Sequence, residues 1–227
     1  MRKVAFFDID GTVFRSSLLI ELVEKLIAES VFPEAAKALY LQEYQAWRNR
    51  TGTYNAYISA VVGAYLTHIQ GVYYGDLADI GRIVVAEQSN YVYRYTRDLI
   101  VSLQKENYFI VAISQSPKTI LDEFCREYGF DKVYGRIYEI GPQDKFTGNM
   151  IDVHLVENKA HIVTRVLEKE EVTISGSIGV GDTHGDISLL EVVDRPICFN
   201  PNSELFAHAK KMDWEIVVER KDVIYQL

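Results

Sequence analysis

The chain has 227 residues, of which 48% are hydrophobic and 25% charged, values typical of a soluble globular protein with a buried core. Collagen-like, disordered and disulfide-scaffold proteins are therefore excluded. The formal net charge is −8, with 24 Lys and Arg against 32 Asp and Glu, and no basic stripe is visible. This charge pattern argues against nucleic acid as a partner.

The apolar runs of the chain are too short for a signal peptide or a membrane span. Only residues 4–7 precede Asp8, whereas a secretory signal needs about 7–15 apolar residues. The longest mostly apolar stretch, 58–66, is far short of the ~20 residues that span a bilayer. Cys125 and Cys198 lie far apart, which suits a reducing compartment. We expect a cytoplasmic protein without an integral membrane segment.

Short apolar runs alternate with helical segments along most of the chain. Buried parallel strands are expected at 3–8, 109–113, 177–181, 196–199 and 215–218. Helices are expected at 117–128, 158–170, 185–193 and 203–212, and a hairpin around 138–152. This alternation is typical of βαβ units. The predicted fold class is therefore α/β, with a Rossmann-like, doubly wound parallel sheet.

Residues 15–92 interrupt that alternation with successive amphipathic helices. Ser16 or Ser17 can cap the first helix, Pro33 suits the first position of the second, and Gly71 would end the third. A helical segment between the first strand and the rest of the sheet suggests a cap over a site. The predicted domains are an α/β core formed by 1–14 and 93–227, and a helical cap formed by 15–92.

Two carboxylates follow the first predicted strand, in the run Asp8-Ile9-Asp10-Gly11-Thr12. They fall at the carboxyl edge of the sheet, where open α/β proteins bind ligands. One carboxylate can attack phosphorus while the other moves protons, provided that a cation offsets their repulsion. The alternative is a strand-end turn in which Asp10-Gly11 only reverses the chain.

A second acidic pair, Asp182 and Asp186, follows the predicted strand at 177–181 in a Gly-rich turn. Alone, this run would be an ordinary capped turn before a helix. Carboxylate oxygens are also hard ligands suited to Mg²⁺. Four carboxylates at one sheet edge would repel one another without a cation, so we predict a divalent metal. The candidate metal ligands are Asp8, Asp10, Asp182 and Asp186.

Ser114 and Lys159 complete the predicted site. Ser114 ends the strand at 109–113 and precedes a helix, where a hydroxyl and backbone N–H groups form an anion site or simply an N-cap. Lys159 lies near a helix start, where a cation is disfavoured. Its position is understandable if it faces the acids and a phosphate.

The order of these motifs resembles the haloacid dehalogenase superfamily, in its phosphatase branch, and most of all its phosphoserine-phosphatase-like subfamily. The resemblance spans nearly the whole chain, and it places a helical cap after the first motif. It implies that Asp8 is the nucleophile of an aspartyl-phosphate and that Asp10 is the general acid and base. The resemblance also implies that Ser114 and Lys159 hold the phosphoryl oxygens.

The same resemblance implies a Mg²⁺ ion bound by Asp8, by the backbone carbonyl of Asp10 and by Asp182, with Asp186 supporting through water. Gly11, Thr12 and Gln115 are the further candidates for phosphate binding. Near the cap, the candidate substrate contacts are Arg15, Ser17, Tyr54 and Tyr57. For the aromatic residues, together with Trp47 and Arg48, the alternative is packing within the cap, and for a lone arginine it is a solvated surface position.

Three positions depart from the phosphoserine-phosphatase pattern. Ser17 stands where those enzymes carry a glutamate that contacts the substrate amino group, and Val61 falls near their carboxylate-binding arginine. Gly185 stands where an asparagine is usual. We therefore expect a Mg²⁺-dependent phosphomonoester hydrolase acting on a small phosphorylated metabolite or lipid headgroup, not on free phosphoserine. The alternatives are a phosphotransferase of the same superfamily and a non-catalytic phosphate-binding regulatory module.

Overall fold

The computed structural model describes residues 1–152 and 158–227. Eight strands form one sheet in the order β4-β3-β2-β1-β5-β6-β7-β8. The strands are β1 Arg2–Asp8, β2 Phe109–Pro117, β3 Lys132–Ile140, β4 Phe146–Ile151, β5 Val172–Gly181, β6 Arg195–Phe199, β7 Glu215–Arg220 and β8 Val223–Gln226. The six inner strands run parallel, and β4 and β8 are antiparallel edges. The predicted α/β class is confirmed.

Nine helices occur in the described ranges. They are α1 Leu18–Ala28, α2 Leu41–Arg48, α3 Tyr54–Ile69, α4 Tyr74–Gln88, α5 Arg94–Lys105, α6 Lys118–Glu127, α7 Lys159–Lys169, α8 Ile187–Leu190 and α9 Ser203–Met212. Short 3-10 turns cover Glu34–Leu39, Pro142–Asp144 and His184–Asp186. Within residues 1–152 and 158–227, no helix has both the length and the apolarity that a membrane crossing requires.

The central strand β1 is buried on both faces because helices cover both sides of the sheet. Ala5 and Phe7 point into the core shared with α5, α6 and the helices at 18–88. Val4 and Phe6 point into the opposite core, which α7 completes. Such two-sided burial explains the uninterrupted apolar run that precedes Asp8.

Helices α1 to α4 pack on one another and on the core. α1 contacts α3 and α4, while α4 rests on α6 and α3 rests on β4. Gly71 follows α3 with a φ of +82°, the left-handed conformation expected of a residue that ends a helix. Ser17 occupies the N-cap position of α1, but its side chain makes no capping bond. The N–H of Leu18 instead donates to Asp10 Oδ1 at 2.6 Å, which ties the start of α1 to the first motif.

The first strand of the predicted hairpin, β3, is longer than expected. It begins at Lys132 and joins the sheet parallel to β2. The strand is only half-buried on both faces, so it lacks a continuous apolar run. β8 and α5 were also not predicted. β8 is an exposed edge strand, and the apolar residues of α5 lie on one narrow face.

Candidate active site

The candidate site lies where β2, β1 and β5 end side by side. Asp8 pairs in register with Ile113, and Phe7 pairs with Val180. Parallel strands that share a register bring their following residues to one edge. The three strand ends thus bring the predicted acidic and hydroxyl residues together.

A buried ion network forms the floor of the site. Lys159 Nζ donates to Asp8 Oδ1 at 2.6 Å, to Asp186 Oδ1 at 2.5 Å and to the Ile113 carbonyl at 3.3 Å. All three charged side chains are at least nine-tenths buried. Burial alone would lower the pKa of Lys159, but the carboxylates of Asp186 and Asp8 hold it above its ordinary value. The lysine at the start of α7 therefore stays charged beneath the acids.

Asp8 has one oxygen engaged and one free. Oδ2 is buried and has no hydrogen-bond partner among the described residues. Burial raises the pKa of Asp8 to about 7, Lys159 opposes this shift, and the charges of Asp186 and Asp10 add to it. A buried carboxylate oxygen without a donor is costly in a structural role. It is the arrangement needed by a nucleophile or a cation ligand.

Asp10 is held by three donors. Ser114 Oγ and Ser116 Oγ donate to its Oδ2 at 2.5 and 2.8 Å, and the Leu18 N–H donates to Oδ1. Ser116 was not among the predicted residues. A signal existed, because side chains two positions apart on an extended strand point to the same face. The two serines hold the carboxylate of Asp10 in place beside the other site residues.

Asp182 faces Asp8 from the end of β5. Thr12 Oγ1 donates to its Oδ1 at 3.3 Å, and Gly11 approaches so closely that a Cβ would collide with Asp182 Oδ2. Gly11 also has a φ of +84°, so only glycine fits both requirements. Thr12 is fully buried, so the structure places it behind Asp182. Burial, with the charges of Asp8 and Asp186, raises the pKa of Asp182 well above its usual value.

Three carboxylates are close enough to hold one cation. The oxygens of Asp8, Asp182 and Asp186 lie within 4.8 Å of one another. Asp186 Oδ1 accepts from Lys159, and its Oδ2 accepts from the N–H groups of Asp182 and Thr183. The free Oδ2 of Asp8 and the raised pKa of Asp182 both fit residues suited to hold a cation. The donor set is all oxygen and suits a hard divalent ion.

A cavity of about 560 Å³ opens above these residues. The predicted residues Asp8, Asp10, Lys159, Asp182, Gln115, Ser17 and Tyr54 line it. Sequence reasoning missed the wall residues Leu19, Asn55, Ile58, Ser59, Val62, Ser116 and Arg136. The α3 residues gave no signal because helical spacing alone does not show which face covers a site. Arg136 gave none because its strand, β3, was not recognised.

A second cavity of about 520 Å³ adjoins the first, and Tyr54 and Asp182 line both. The predicted residues Arg15, Tyr57 and Gly11 line this second cavity instead. The Arg15 guanidinium donates to Glu219 Oε1 at 2.9 Å and lies over the Tyr93 ring at 5.0 Å.

The aromatic residues on α2 and α3 pack on one another. The ring of Tyr57 stacks on Trp47 at 5.6 Å, and Tyr57 is almost fully buried. Arg48 is exposed and lies over Tyr44. Val61, on α3, is buried. The group around Asp8 therefore does not include Trp47, Arg48, Tyr57 or Val61.

A buried carboxylate with a free oxygen, beside a lysine and a cluster able to hold a cation, defines an α/β enzyme equipped for nucleophilic attack. The model of the family described as haloacid dehalogenase-like hydrolase matches residues 5–191. The chain belongs to this family, as predicted.

Named relatives agree with this assignment. The chain is 24% identical over 226 residues to a histidinol-phosphatase of Neisseria meningitidis serogroup C (strain 8013), covering 96% of this chain and 99% of the relative. A Bordetella pertussis Tohama I protein of unknown function superposes with a TM-score of 0.74 at 17% identity, covering 95% and 98% of the two chains.

A phosphoserine phosphatase, captured as an analogue of its phospho-aspartyl intermediate, superposes with a TM-score of 0.62 at 17% identity, covering 97% and 95% of the two chains. The predicted Rossmann-like fold is confirmed. The prediction of an enzyme of this family is confirmed too, and phosphatase is the activity that these relatives indicate.

Proposed function

We propose that the protein is a Mg²⁺-dependent phosphomonoester hydrolase that forms an aspartyl-phosphate on Asp8. The observation that carries the proposal is the free, buried Oδ2 of Asp8 at the floor of the cavity, with Lys159 fixed on Oδ1. A carboxylate so placed is oriented for attack, and its neighbour Lys159 offsets the charge of an incoming phosphate.

In the first step, Asp8 Oδ2 forms a bond to phosphorus while the bond from phosphorus to the leaving oxygen breaks. Asp10 gives its proton to that oxygen, so the leaving group departs as an alcohol. The hydroxyls of Ser114 and Ser116 hold the Asp10 carboxyl in position in the cavity. We assign the binding of the transferred phosphoryl oxygens to Lys159 and Ser114, whose side chains donate to Asp8 and Asp10 respectively.

In the second step, a water attacks phosphorus and the bond to Asp8 breaks. Asp10, now deprotonated, takes the proton from that water. Inorganic phosphate leaves and Asp8 is restored as a carboxylate. Gln115, the β2 residue between Ser114 and Ser116, lies at the cavity wall, where its side chain can contact the substrate.

Asp8, Asp182 and the backbone carbonyl of Asp10 would hold Mg²⁺, with Asp186 supporting. Asp186 Oδ1 accepts from Lys159, and its Oδ2 accepts from the N–H groups of the 182–183 turn. Because both oxygens are already engaged, Asp186 suits a supporting position. Bound Mg²⁺ would offset the negative charge of the aspartates and the phosphate. Thr12 and Gly11 contribute by fixing the Asp182 carboxylate.

We further propose that the substrate is a small phosphorylated metabolite or lipid headgroup other than phosphoserine. The cavity volume suits a compact ester. Its described cap-side wall carries Ser17, Tyr54, Asn55 and Ser59 as polar groups, all of them uncharged. No cap carboxylate on that wall is therefore available to pair with an ammonium group.

The experiment is to incubate the protein with Mg²⁺ and a panel of phosphate esters carrying ³²P in the phosphoryl group. We expect released phosphate and a transient protein label that hydroxylamine removes, as it removes acyl phosphates. EDTA abolishes both signals and added Mg²⁺ restores them. Asp8→Asn abolishes both, whereas the exposed Glu29→Gln on the cap changes neither. Turnover retained by Asp8→Asn would disprove the assignment of the nucleophile.

The same labelling separates hydrolysis from phosphoryl transfer. A hydrolase releases inorganic phosphate at the same rate as alcohol from the ester. A phosphotransferase passes the label to an added sugar or alcohol, so release of inorganic phosphate falls as acceptor is added. We expect equal rates and no dependence on acceptor.

A further inference from the structure

Arg136 is a cation that the proposed chemistry leaves unused. It lies on β3, lines the catalytic cavity and is half-buried. Its Nη2 donates to Gln115 Oε1 at 2.7 Å, its Nη1 lies 3.7 Å from Met150 Sδ, and its Nε is buried without a partner. Within the part of the chain that the structure describes, no carboxylate pairs with it.

An arginine of this kind is unusual because a charge withdrawn from water is normally paired. Lys159, the other cation that lines this cavity, pairs with Asp8 and Asp186. Arg15, in the adjoining cavity, is neutralised by Glu219. Arg136 therefore lacks the counter-charge that both of those cations have.

Gln115 adds a second donor beside Arg136. A guanidinium can only donate hydrogen bonds, so the Gln115 side chain must turn its oxygen toward Arg136. The Gln115 Nε2 group then points away from Arg136, and it has no partner among the described residues. The flanking Ser114 and Ser116 both bind Asp10. The donor pair thus lies next to the reacting centre.

The remaining walls of the cavity admit an anion. The described cap-side residues are apolar or neutral, and among them are Leu19, Ile58, Val62 and Ser59. The carboxylates that line the cavity are Asp8, Asp10 and Asp182, which belong to the catalytic floor. Nothing on the described cap-side wall repels a second negative charge.

We propose that Arg136, with Gln115, binds a second anionic group carried by the leaving alcohol, so that the preferred substrates are phosphate esters with an additional carboxylate or phosphate. This inference rests on the proposed phosphatase function. A guanidinium pairs with either anion through two parallel hydrogen bonds, and a lysine cannot reproduce that geometry. Arg136 is a specificity residue that contacts the part of the substrate remote from the transferred phosphoryl group.

Matched substrates test the proposal. 3-Phosphoglycerate and glycerol 3-phosphate differ by a carboxylate in place of a hydroxymethyl group. 1,3-Propanediol bisphosphate and 3-hydroxypropyl phosphate differ by a second phosphate. We expect kcat/KM to favour the anionic member of at least one pair by roughly tenfold or more, mainly through KM. The pair with the larger ratio identifies which anion the site takes.

Variants connect the preference to the arginine. Arg136→Gln should lower the ratio within the preferred pair by roughly 10-fold or more, and Arg136→Lys should lower it by less. Gln115→Ala should lower it several-fold, and it serves as a second test should Arg136→Gln fold poorly. The exposed Arg126→Gln on α6 is the matched control and should leave the ratio unchanged. An unchanged ratio in both Arg136→Gln and Gln115→Ala would overturn the proposal.

Binding without turnover separates this inference from the proposed function. In the Asp8→Asn background, calorimetry with the same ester pairs should show the same preference and the same loss on Arg136→Gln. If the wild-type protein hydrolyses esters but neither anionic ester is favoured, the inference fails and the function stands. If nothing is hydrolysed but the anionic ester still binds through Arg136, the function fails and the anion site stands.

Discussion

The two sides of the catalytic cavity supply different kinds of side chain. The sheet edge supplies charge: Asp8, Lys159 and Asp186 are linked by bonds of 2.5–2.6 Å and are almost inaccessible to water. The facing helices supply neutral groups, such as Tyr54 and Ile58 on α3.

This difference assigns catalysis to the buried charges and the choice of substrate to the neutral wall. Charges act strongly where burial keeps water out and neighbours hold them in place, as at the sheet edge. The neutral wall that the helices form can still select among leaving groups by shape and hydrogen bonding. Substitutions of the buried charged residues should therefore slow every ester, whereas substitutions of wall residues that contact only the leaving group should alter the order of preference among esters.

Asp10→Asn should lower kcat far more for alkyl esters than for aryl esters. Asp10→Asn cannot protonate the leaving oxygen, and alkyl phosphates depart as strongly basic alkoxides that need that proton. We expect kcat to fall about 10²–10⁴-fold with alkyl esters and much less with p-nitrophenyl phosphate, whose leaving group is stable as an anion. Equal losses with both kinds of ester would remove Asp10 from the role of general acid.

Loss of Lys159 should affect both stability and rate. Lys159→Met leaves Asp8 and Asp186 buried without their cation, which costs about 3–5 kcal/mol in the free energy of unfolding measured with urea. Loss of one group that stabilises the transferred phosphoryl should lower kcat by about 10²–10³-fold on all esters. Lys169→Met, at the exposed end of the same helix, is the control. A variant as stable and active as this control would contradict the described network.

Much of this contrast could be predicted from the sequence. Asp8 and Asp182 end apolar runs, and parallel strands end at one edge, so their meeting follows from the fold class. The clustering of these carboxylates with other acidic residues also predicts a bound cation. The helical spacing of 15–92 indicated a cap, although helical spacing does not say which of its residues face the cavity.

Other contacts depend on tertiary structure that leaves no local pattern. Arg136 lies on a half-buried strand with no apolar run, so neither the strand nor its side chain could be predicted. Arg15 pairs with Glu219, a residue 204 positions away, on a strand whose end was not predicted. Ser17 occupies the N-cap position of α1, as the local sequence allowed, but the side chain that accepts from the first helical N–H is that of Asp10. Each case joins distant segments through packing.

A smaller effect is expected when the substrate carries an ammonium group. O-Phosphoserine carries an ammonium where 3-phosphoglycerate carries a hydroxyl. Ser17, which lines the cavity, stands at the position where the family resemblance places a glutamate. An ammonium desolvated without a carboxylate partner loses binding energy. We expect kcat/KM for phosphoserine to be lower than that for 3-phosphoglycerate, by up to roughly tenfold. Equal or better values for phosphoserine would reveal an ammonium site in the cavity.

The smallest effect on catalysis is expected at Arg15, the arginine that already has a partner. Glu219 accepts from Arg15, and it also accepts from the N–H groups of Arg94 and Tyr95 at the start of α5. Arg15→Gln removes one charged hydrogen bond, worth about 1.5–3 kcal/mol, while the helix N–H groups still partner the buried carboxylate.

We therefore expect Arg15→Gln to lower Tm by roughly 3–12 °C, as that free energy implies for a chain of this size. Its kcat/KM should change by less than about threefold on every ester, roughly 0.6 kcal/mol in the barrier, because its partners Glu219 and Tyr93 do not line the catalytic cavity. The comparison with Arg136→Gln is direct: one arginine should affect melting and the other substrate preference. A loss of activity in Arg15→Gln that is confined to certain esters would show that the second cavity takes part in binding the leaving group.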